Sequence, residues 1–358
     1  MLSIKSPLVY HHQVDLCHRV GELIHPFSQK IAILTSRRAW NAVESGVSAS
    51  LKNSGVIFEL HFLAGECTRE IVDVLRGKIA QQNIQFVLGI GGGRVLDCAK
   101  AVADGLDNGQ VATLPTIAAT CAAWSPISIL YDEQGGHQGT LTLKHMPVLV
   151  MVDSSIIARS NVRYLKAGIV DALAKWYEFQ PYLAANGDNL ALNLKIQAAS
   201  FARDVFEQWG EQAIHDNECQ RVTPALQRVI DATIAGAGLA NSMRDENPAP
   251  GVAHAIHNRL THIPALHDWL HGEKVAFGLL VQSLLANDSK HVDKHLMDQL
   301  QRYDMPLSLP ITEKQYSQAV DYIVTHFKFP AASAALLPFS LSQEALSRAL
   351  LTAGNMHS

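Results

Sequence analysis

The stretch Ile84–Gly105 has the sequence IQFVLGIGGGRVLDCAKAVADG, which joins an apolar run, a cluster of glycines and a mixed apolar and polar segment. The run Ile84–Ile90 is almost continuously apolar, as is typical of a strand buried on both faces of a parallel sheet. The segment Arg94–Gly105 spaces its apolar residues as a helix does. A strand, a glycine turn and a helix in this order indicate an α/β nucleotide-binding architecture.

The glycine turn suits the binding of a diphosphate. Glycines let phosphate oxygens approach the backbone N–H groups closely, and a helix N-terminus adds partial positive charge. We therefore predict a diphosphate site at the turn formed by residues 89–93, where Arg94 can pair with a phosphate, and Asp97 either contacts the ligand or stabilises the first helical turn. The alternative is a tight strand-to-helix turn without a ligand, because neither the GxGxxG nor the GK[ST] motif is complete.

Similar strand and helix patterns extend on both sides of this unit. The helix predicted at Ile71–Gln82 follows Thr68, whose side chain suits an N-cap. Four further β-rich runs predict strands: Lys30–Thr35, Val56–Leu63, Val111–Thr116 and Pro147–Asp153. Strands that alternate with helices favour a parallel sheet.

After Asp153 the pattern changes, and Val162–Leu350 is predominantly helical in character. A chain of 358 residues is long enough for two domains at about 150 residues each. The sequence thus predicts an α/β dinucleotide-binding domain over residues 1–153 and an all-helical domain over residues 154–358.

Composition narrows the classes of function. Lys and Arg number 29 against 33 Asp and Glu, and a net charge of −4 does not favour nucleic acid or an anionic membrane as partner. No apolar run approaches the length of a membrane span, and the start MLSIKSPLVYHH lacks the apolar core of a signal peptide. The five cysteines are scattered and include no CxxC motif, which fits a reducing cytoplasm.

Two arginines follow the first strand of the alternating series. Arg37 and Arg38 stand where an NAD-preferring site often places an acidic residue against the adenosine ribose. An arginine there favours the 2′-phosphate of NADP, and the alternative is a pair of solvated side chains at a helix start.

A histidine cluster marks the helical half. Five of the 17 histidines lie within residues 254–271: His254, His257, His262, His267 and His271. Two imidazoles and a carboxylate suit a catalytic metal with an open position. Asp171 is a candidate carboxylate, although it could instead pair with Lys175 one helical turn later. Spacing alone does not choose among the histidines.

Five motifs occur in order along the chain: GIGGGRVLDCAKAVAD, LPTIAATCAAWSP, AGIVDALAKWYE, VAHAIHN and HGEKVAFG. Together they resemble the glycerol dehydrogenase family of the iron-containing alcohol dehydrogenase superfamily, from about Ile31 to about Leu280. The resemblance implies an N-terminal dinucleotide-binding domain, a helical domain and an active site in the cleft between them, an architecture shared with dehydroquinate synthase. It also implies a homo-oligomer.

The resemblance assigns roles to single residues. The metal ligands correspond to Asp171, His254 and His271, and Lys175 stands where the iron-binding branch has a fourth ligand, a histidine. This implies the three-ligand branch, which usually binds zinc. The phosphate loop corresponds to Gly92, Gly93 and Arg94, and further cofactor contacts to Thr116, Ser125, Ile127 and Tyr131. The ribose-binding aspartate of the family corresponds to Arg37, so the cofactor is NAD or NADP.

Cys121 departs from the family pattern, because glycerol dehydrogenases carry at this position an aspartate that holds substrate hydroxyls. A thiol binds a triol poorly, and the loss of an anion makes room for a carboxylate. The segment TCAAW, with Trp124 as an expected pocket wall, resembles the hydroxycarboxylate dehydrogenase A branch. That branch implies NAD(P)H-dependent reduction of short 2-oxo acids.

The expected reaction is metal-assisted hydride transfer between the nicotinamide and a small 2-oxo or 2-hydroxy acid such as 2-oxobutanoate or 2-oxoglutarate. Three alternatives stay open. Glycerol or another polyol is the first, and a lyase like dehydroquinate synthase, which regenerates its cofactor, is the second. The third is a nucleotide-binding scaffold without catalysis.

Overall fold

The computed structural model describes residues 2–356 and confirms an α/β N-terminal part followed by helices. The strands of these residues are β1 Ser3–Ile4, β2 Val9–Gln13, β3 Lys30–Thr35, β4 Ile57–Phe62, β5 Phe86–Gly91, β6 Gln110–Pro115, β7 Ile127–Tyr131, β8 His137–Thr142, β9 Leu149–Asp153 and β10 Met243–Arg244. The α-helices are α1 Val20–Ile24, α2 Arg37–Asn53, α3 Arg69–Gln81, α4 Gly93–Asp104, α5 Ser154–Ala158, α6 Val162–Phe179, α7 Leu183–Asn186, α8 Leu190–Glu218, α9 Pro224–Asp231, α10 Ala237–Ser242, α11 Val252–Leu260, α12 His271–Ala286, α13 Lys294–Arg302, α14 Glu313–His326, α15 Ala331–Ala334 and α16 Gln343–Asn355.

Six strands form one parallel sheet in the order β2-β9-β6-β5-β3-β4. Every residue of β5 and β9 is buried, as their continuous apolar sequences predict. The predicted strand at Lys30–Thr35 matches β3 at both ends, and the hydroxyl of Thr68 caps α3 by accepting from the N–H of Ile71. The carboxyl ends of these strands open toward the helical half.

Two strand features escaped the sequence analysis. The edge strand β2 pairs in parallel with β9, but its residues are only half-buried and include two histidines and a glutamine. An edge strand of this kind lacks the apolar signature of the central strands. The hairpin of β7 and β8 is a separate antiparallel pair, and β7 begins at Ile127, directly after the LPTIAATCAAWSP motif.

Glycines bring the helices of the second half close to each other and to the sheet. A Cβ at Gly272 would collide with the carbonyl oxygen of Ala167, and one at Gly168 with that of Ala118. Helix α6 therefore packs closely against both α12 and the loop after β6. This contact brings the candidate ligands on α6 and α12 to the edge of the sheet.

We propose to divide the chain at Asp153, where β9 ends and α5 begins. One element crosses this division, because β1 pairs with β10 through Ser3 and Arg244. Within residues 2–356, no helix combines the length and apolarity that crossing a bilayer requires.

Candidate active site

A cleft of about 1290 Å³ lies between the carboxyl ends of the strands and the helical half. Its walls include Ser36 after β3, Gly92 after β5 and Thr116 after β6, together with residues of α6, α11 and α12. Such crevices at strand carboxyl ends are where α/β sheets bind ligands, and pockets for small ligands occupy about 300–1,000 Å³. The cleft therefore has room for a dinucleotide and a small substrate together.

Three side chains converge in this cleft. Asp171 lies in the middle of α6, His254 in the first turn of α11, and His271 at the start of α12. The Nε2 atoms of both histidines lie 3.2 Å from Oδ1 of Asp171, and one ligand atom of each residue falls within 4.8 Å of the others. Among residues 2–356 this is the only group of three or more such side chains close enough to hold one metal ion.

Glu178 fixes the orientation of His254 from the side of the ring that faces away from Asp171. Its Oε2 atom lies 2.7 Å from His254 Nδ1, and its Oε1 atom accepts from the His254 backbone N–H at 2.8 Å. Burial alone would raise the pKa of Glu178, but the contacts with His254 hold the pKa below its usual value. The ring proton of His254 thus lies on Nδ1, from which it is donated to Glu178, and the lone pair on Nε2 faces the cleft.

Lys175 lies one turn after Asp171 on α6 and is buried. Its Nζ atom lies 3.2 Å from Asp171 Oδ1 and 3.0 Å from His254 Nε2. Burial would raise the pKa of Asp171, but the ammonium group and the two histidines outweigh burial and hold the pKa well below its usual range. Asp171 is therefore a carboxylate, and a protonated Lys175 adds no lone pair to the cluster.

The donor set fits a divalent cation. The Nε2 atoms of His254 and His271 both lie 3.2 Å from Asp171 Oδ1, so one divalent ion can be reached by a donor atom from each of the three side chains. Two imidazole nitrogens and one carboxylate oxygen are a common catalytic set for zinc and other first-row divalent ions. The three side chains named from the family resemblance are those that the fold brings together.

The other histidines of the cluster have different surroundings. His257 is buried, its ring centroid lies 4.1 Å from that of His271, and its Nδ1 atom contacts Asn258 Oδ1 at 3.1 Å. Burial lowers the pKa of His257 well below its usual value, so this ring is neutral. His262 contacts the carbonyl oxygen of His137 at 3.2 Å, and His267 lines the cleft.

The glycine turn lies in the same cleft as the ligand cluster. Gly92 is the N-cap of α4, and Gly92, Gly93 and Arg94 all line the cleft. Arg94 pairs with Glu66 at 2.5 Å. Asp97 also lines the cleft but pairs with the buried ammonium of Lys100 at 2.9 Å, and burial raises its pKa. The remaining predicted cofactor residues line the same cleft: Thr116, Ser125, Ile127 and Tyr131.

Arg37 does not line the cleft in the described chain. Its guanidinium stacks over the ring of Phe62, 4.6 Å from the centroid, because the first residue of α2 faces the neighbouring strand β4. The next residue, Arg38, lines the cleft and lies 3.5 Å from the hydroxyl of Tyr164. Of the two adjacent arginines, Arg38 therefore lines the cleft and the expected Arg37 does not.

Trp124 also lies away from the cleft lining of residues 2–356. Its indole N–H donates to Ser242 Oγ at 2.9 Å, and its ring covers Gly238, where a Cβ would collide with it. The half-buried indole packs against α10 and Tyr10, so Trp124 is a packing residue, which differs from the expected pocket wall.

Cys121 lines the cleft beside a side chain that the sequence analysis missed. Asn241 Nδ2 lies 3.5 Å from Cys121 Sγ, and both residues line the cleft. Burial raises the pKa of the Cys121 thiol to about 11, so the thiol is neutral. Asn241 lies 120 residues further along the chain, and no local pattern marks it. Glu178 carries a weak signal, since it follows Asp171 by two helical turns.

The chain is similar to known dehydrogenases in sequence and in fold. Residues 7–154 match the family described as iron-containing alcohol dehydrogenase. The glycerol dehydrogenase of Pseudomonas putida is 34% identical over 86% of this chain and 84% of its own length. The hydroxycarboxylate dehydrogenase A of Escherichia coli K12 is 36% identical over 87% of each. The crystal structure of a probable glycerol dehydrogenase from Sinorhizobium meliloti superposes with a TM-score of 0.87, at 25% identity and over 98% of both chains.

Proposed function

Because the chain belongs to the iron-containing alcohol dehydrogenase family, we propose that it transfers a hydride between NAD(P) and a short 2-oxo or 2-hydroxy acid. One observation carries the choice of substrate. Beside the ligand cluster, the cleft presents the neutral thiol of Cys121, the amide of Asn241 and the buried ammonium of Lys175. Cys121 stands where polyol-binding members carry an aspartate, so this surface favours an anionic substrate.

The metal site in this proposal consists of Asp171, His254 and His271. A divalent ion bound there supplies Lewis-acid polarisation of the reacting C–O group, and the bound nicotinamide supplies or accepts the hydride. The family name points to iron. We propose zinc, because Lys175 occupies the place of the fourth ligand, and metal analysis of the purified protein distinguishes the two ions.

Residues of the chain orient the metal site and bind the cofactor. Glu178 holds the ring of His254 in the tautomer that directs Nε2 into the cleft. The backbone of Gly92 and Gly93 at the start of α4 presents N–H groups to the diphosphate. Burial of Asp171 on α6 places its carboxylate in surroundings of low dielectric constant, which strengthens its electrostatic interactions.

Glycerol dehydrogenase is the second candidate function. It is favoured by the names of several relatives, including the glycerol dehydrogenases of Pseudomonas putida and of Escherichia coli O6:H1, the second of which is 37% identical over 79% of this chain. The two candidates share the metal site and the cofactor. They differ in what the surface around Cys121 contacts.

Initial rates of NADPH and NADH oxidation by the metal-replete protein decide between them. We expect turnover of 2-oxobutanoate, 2-oxoglutarate and pyruvate to exceed that of dihydroxyacetone. Turnover of dihydroxyacetone alone would overturn the proposal in favour of a polyol dehydrogenase. Net consumption of NAD(P)H separates both from a lyase that regenerates its cofactor.

A single substitution sharpens this test. Cys121→Asp restores the acidic side chain of the polyol-binding members, and we expect it to lower 2-oxo acid turnover and raise dihydroxyacetone turnover. Cys219→Asp is the control, because Cys219 is exposed at the end of α8. Equal effects of the two variants would contradict a role for Cys121 in the choice of substrate.

Two further proposals concern the protein's setting. All five cysteines are free in the described chain and four of them are buried, which supports a reducing, cytoplasmic location. The family resemblance supports a homo-oligomer, which sedimentation velocity would measure.

A further inference from the structure

Arg244 and Lys195 are basic residues of the cleft that neither the ligand cluster nor the glycine turn explains. Arg244 is the last residue of β10, and Lys195 lies in the second turn of α8. Both line the same cleft as Asp171, His254 and His271. Both side chains are partly shielded from solvent. Arg244 is held in place by its backbone, since β10 pairs with β1 at Ser3.

Arg244 has no carboxylate partner among the described residues. The neighbouring carboxylate of Asp245 accepts from Asn189 Nδ2 at 2.6 Å and from the Asn247 backbone N–H at 2.9 Å. Burial alone lowers the pKa of Arg244, and no nearby anion raises it. Burial also lowers the pKa of Lys195, to which Asp245 and Arg244 are the charged neighbours. A partly desolvated guanidinium without an anion is costly, and a bound anion would remove that cost.

Both cations lie near residues of the reacting region, Lys195 through a contact in space and Arg244 through its position in the chain. The Nζ atom of Lys195 lies 5.3 Å from the ring centroid of Phe179, and the preceding residue, Glu178, contacts His254. Arg244 follows Asn241 by three residues, and the amide of Asn241 contacts Cys121 in the pocket. The two cations thus border the pocket proposed for the substrate.

We propose that Arg244 and Lys195 form a subsite for a second carboxylate, so that the preferred substrates are dicarboxylic 2-oxo acids. This inference rests on the proposed 2-oxo acid dehydrogenase function. A guanidinium binds a carboxylate through two parallel hydrogen bonds, and an ammonium adds a compact charge beside it. A monocarboxylic 2-oxo acid leaves this subsite without its anion.

The test compares two substrates with the same five-carbon chain. 2-Oxoglutarate carries a distal carboxylate, and 2-oxopentanoate carries a methyl group in its place. In the wild-type holoenzyme we expect a kcat/KM for 2-oxoglutarate at least about 10-fold higher, as expected for a charge-assisted hydrogen-bonded pair. Arg244→Gln and Lys195→Gln should each raise the KM for 2-oxoglutarate and leave the values for 2-oxopentanoate unchanged. Arg244→Lys keeps the charge and should retain part of the preference.

Arg228→Gln serves as the control, because Arg228 is exposed on α9 and lies over Trp209.

Inhibition by glutarate and by pentanoate gives a second measurement, since neither compound can accept a hydride. We expect glutarate to bind more tightly than pentanoate to the wild type, and Arg244→Gln to abolish the difference. Turnover of both 2-oxo acids with equal kcat/KM, unchanged in the variants, would overturn the subsite alone. Turnover of dihydroxyacetone without any 2-oxo acid would overturn the proposed function, and the glutarate measurement would then report on the subsite separately.

Discussion

The Nδ1 atom of His254 lies 2.7 Å from Oε2 of Glu178, a residue that itself takes no place in the ligand cluster. The carboxylate is buried and accepts from the backbone N–H of the same histidine. A carboxylate behind a metal-binding histidine fixes its tautomer and raises the basicity of the nitrogen that faces the metal.

Replacing Glu178 by Gln should weaken metal binding by about 10- to 100-fold, the usual cost of losing such a partner. The amide keeps the size of the side chain but loses the charge that favours a proton on Nδ1 of His254. Competition with a chelator of known affinity measures the change. Glu211→Gln, at an exposed position of α8, is the control, and an equal affinity in the two variants would contradict the orienting role.

His271→Ala should remove metal and turnover together, because it deletes one of three converging donors. Metal content per chain and initial rates are measured on the same preparation. His262→Ala is the matched control for metal content, since His262 belongs to the same cluster in sequence but contacts the carbonyl oxygen of His137. Near-normal metal content and activity in His271→Ala would refute the ligand assignment.

Arg38→Ala should lower kcat/KM for NADPH by about 10- to 100-fold and leave the value for NADH almost unchanged. This corresponds to about 1.5–3 kcal/mol for hydrogen bonds to a charged group. Arg38 lines the cleft, whereas the guanidinium of Arg37 lies over Phe62. Arg37→Ala is therefore the matched control. A loss of NADPH preference in Arg37→Ala alone would show that this side chain moves when the cofactor binds.

The sequence predicted the central strands well because burial on both faces demands continuous apolar residues. The prediction at Lys30–Thr35 coincides with β3, whereas the half-buried edge strand Val9–Gln13 carries no such pattern. The three residues of the ligand cluster were identified from motifs of a known family. Asn241 and Arg244 were not, because tertiary packing of α10 and β10 alone brings them to the cleft.

The pair Arg37 and Arg38 shows more directly what the sequence alone does not determine. Arg37 and Arg38 are adjacent and chemically identical, and the motif position singled out Arg37. The side chain that reaches the cleft is decided by the rotation of the first turn of α2, which Ser36 caps by accepting from the N–H of Ala39. Successive side chains of a helix point in directions about 100° apart. This difference is enough for Arg38 to face the cleft while Arg37 faces strand β4.

Gly251→Ala should impair the metal site without a backbone penalty. The residue has an ordinary extended conformation, with φ −79°, but an added Cβ would collide with the carboxylate of Glu178. We expect Glu178 to move away from His254 and metal affinity to fall by at least about 10-fold. Gly77→Ala is the control, because it lies exposed in α3 with open space around its Cα and should stabilise the protein by about 0.5–1 kcal/mol. Unchanged metal affinity in Gly251→Ala would show that Glu178 can be displaced without consequence.

His137 should make the folded protein sensitive to mild acid. Burial, and after it the positive charge of Arg259, lowers its pKa from 6.5 to about 4. Between pH 6.5 and about 4, His137 is therefore protonated in the unfolded chain and neutral in the folded chain. Its contribution to stability is complete above pH 6.5 and is lost as the pH falls toward about 4. His137→Gln should reduce the fall in the free energy of unfolding over this interval. Urea unfolding across the interval measures it, with His145→Gln at an exposed position as control. Identical pH profiles for wild type and His137→Gln would show that the hairpin loop accepts the charged ring without cost.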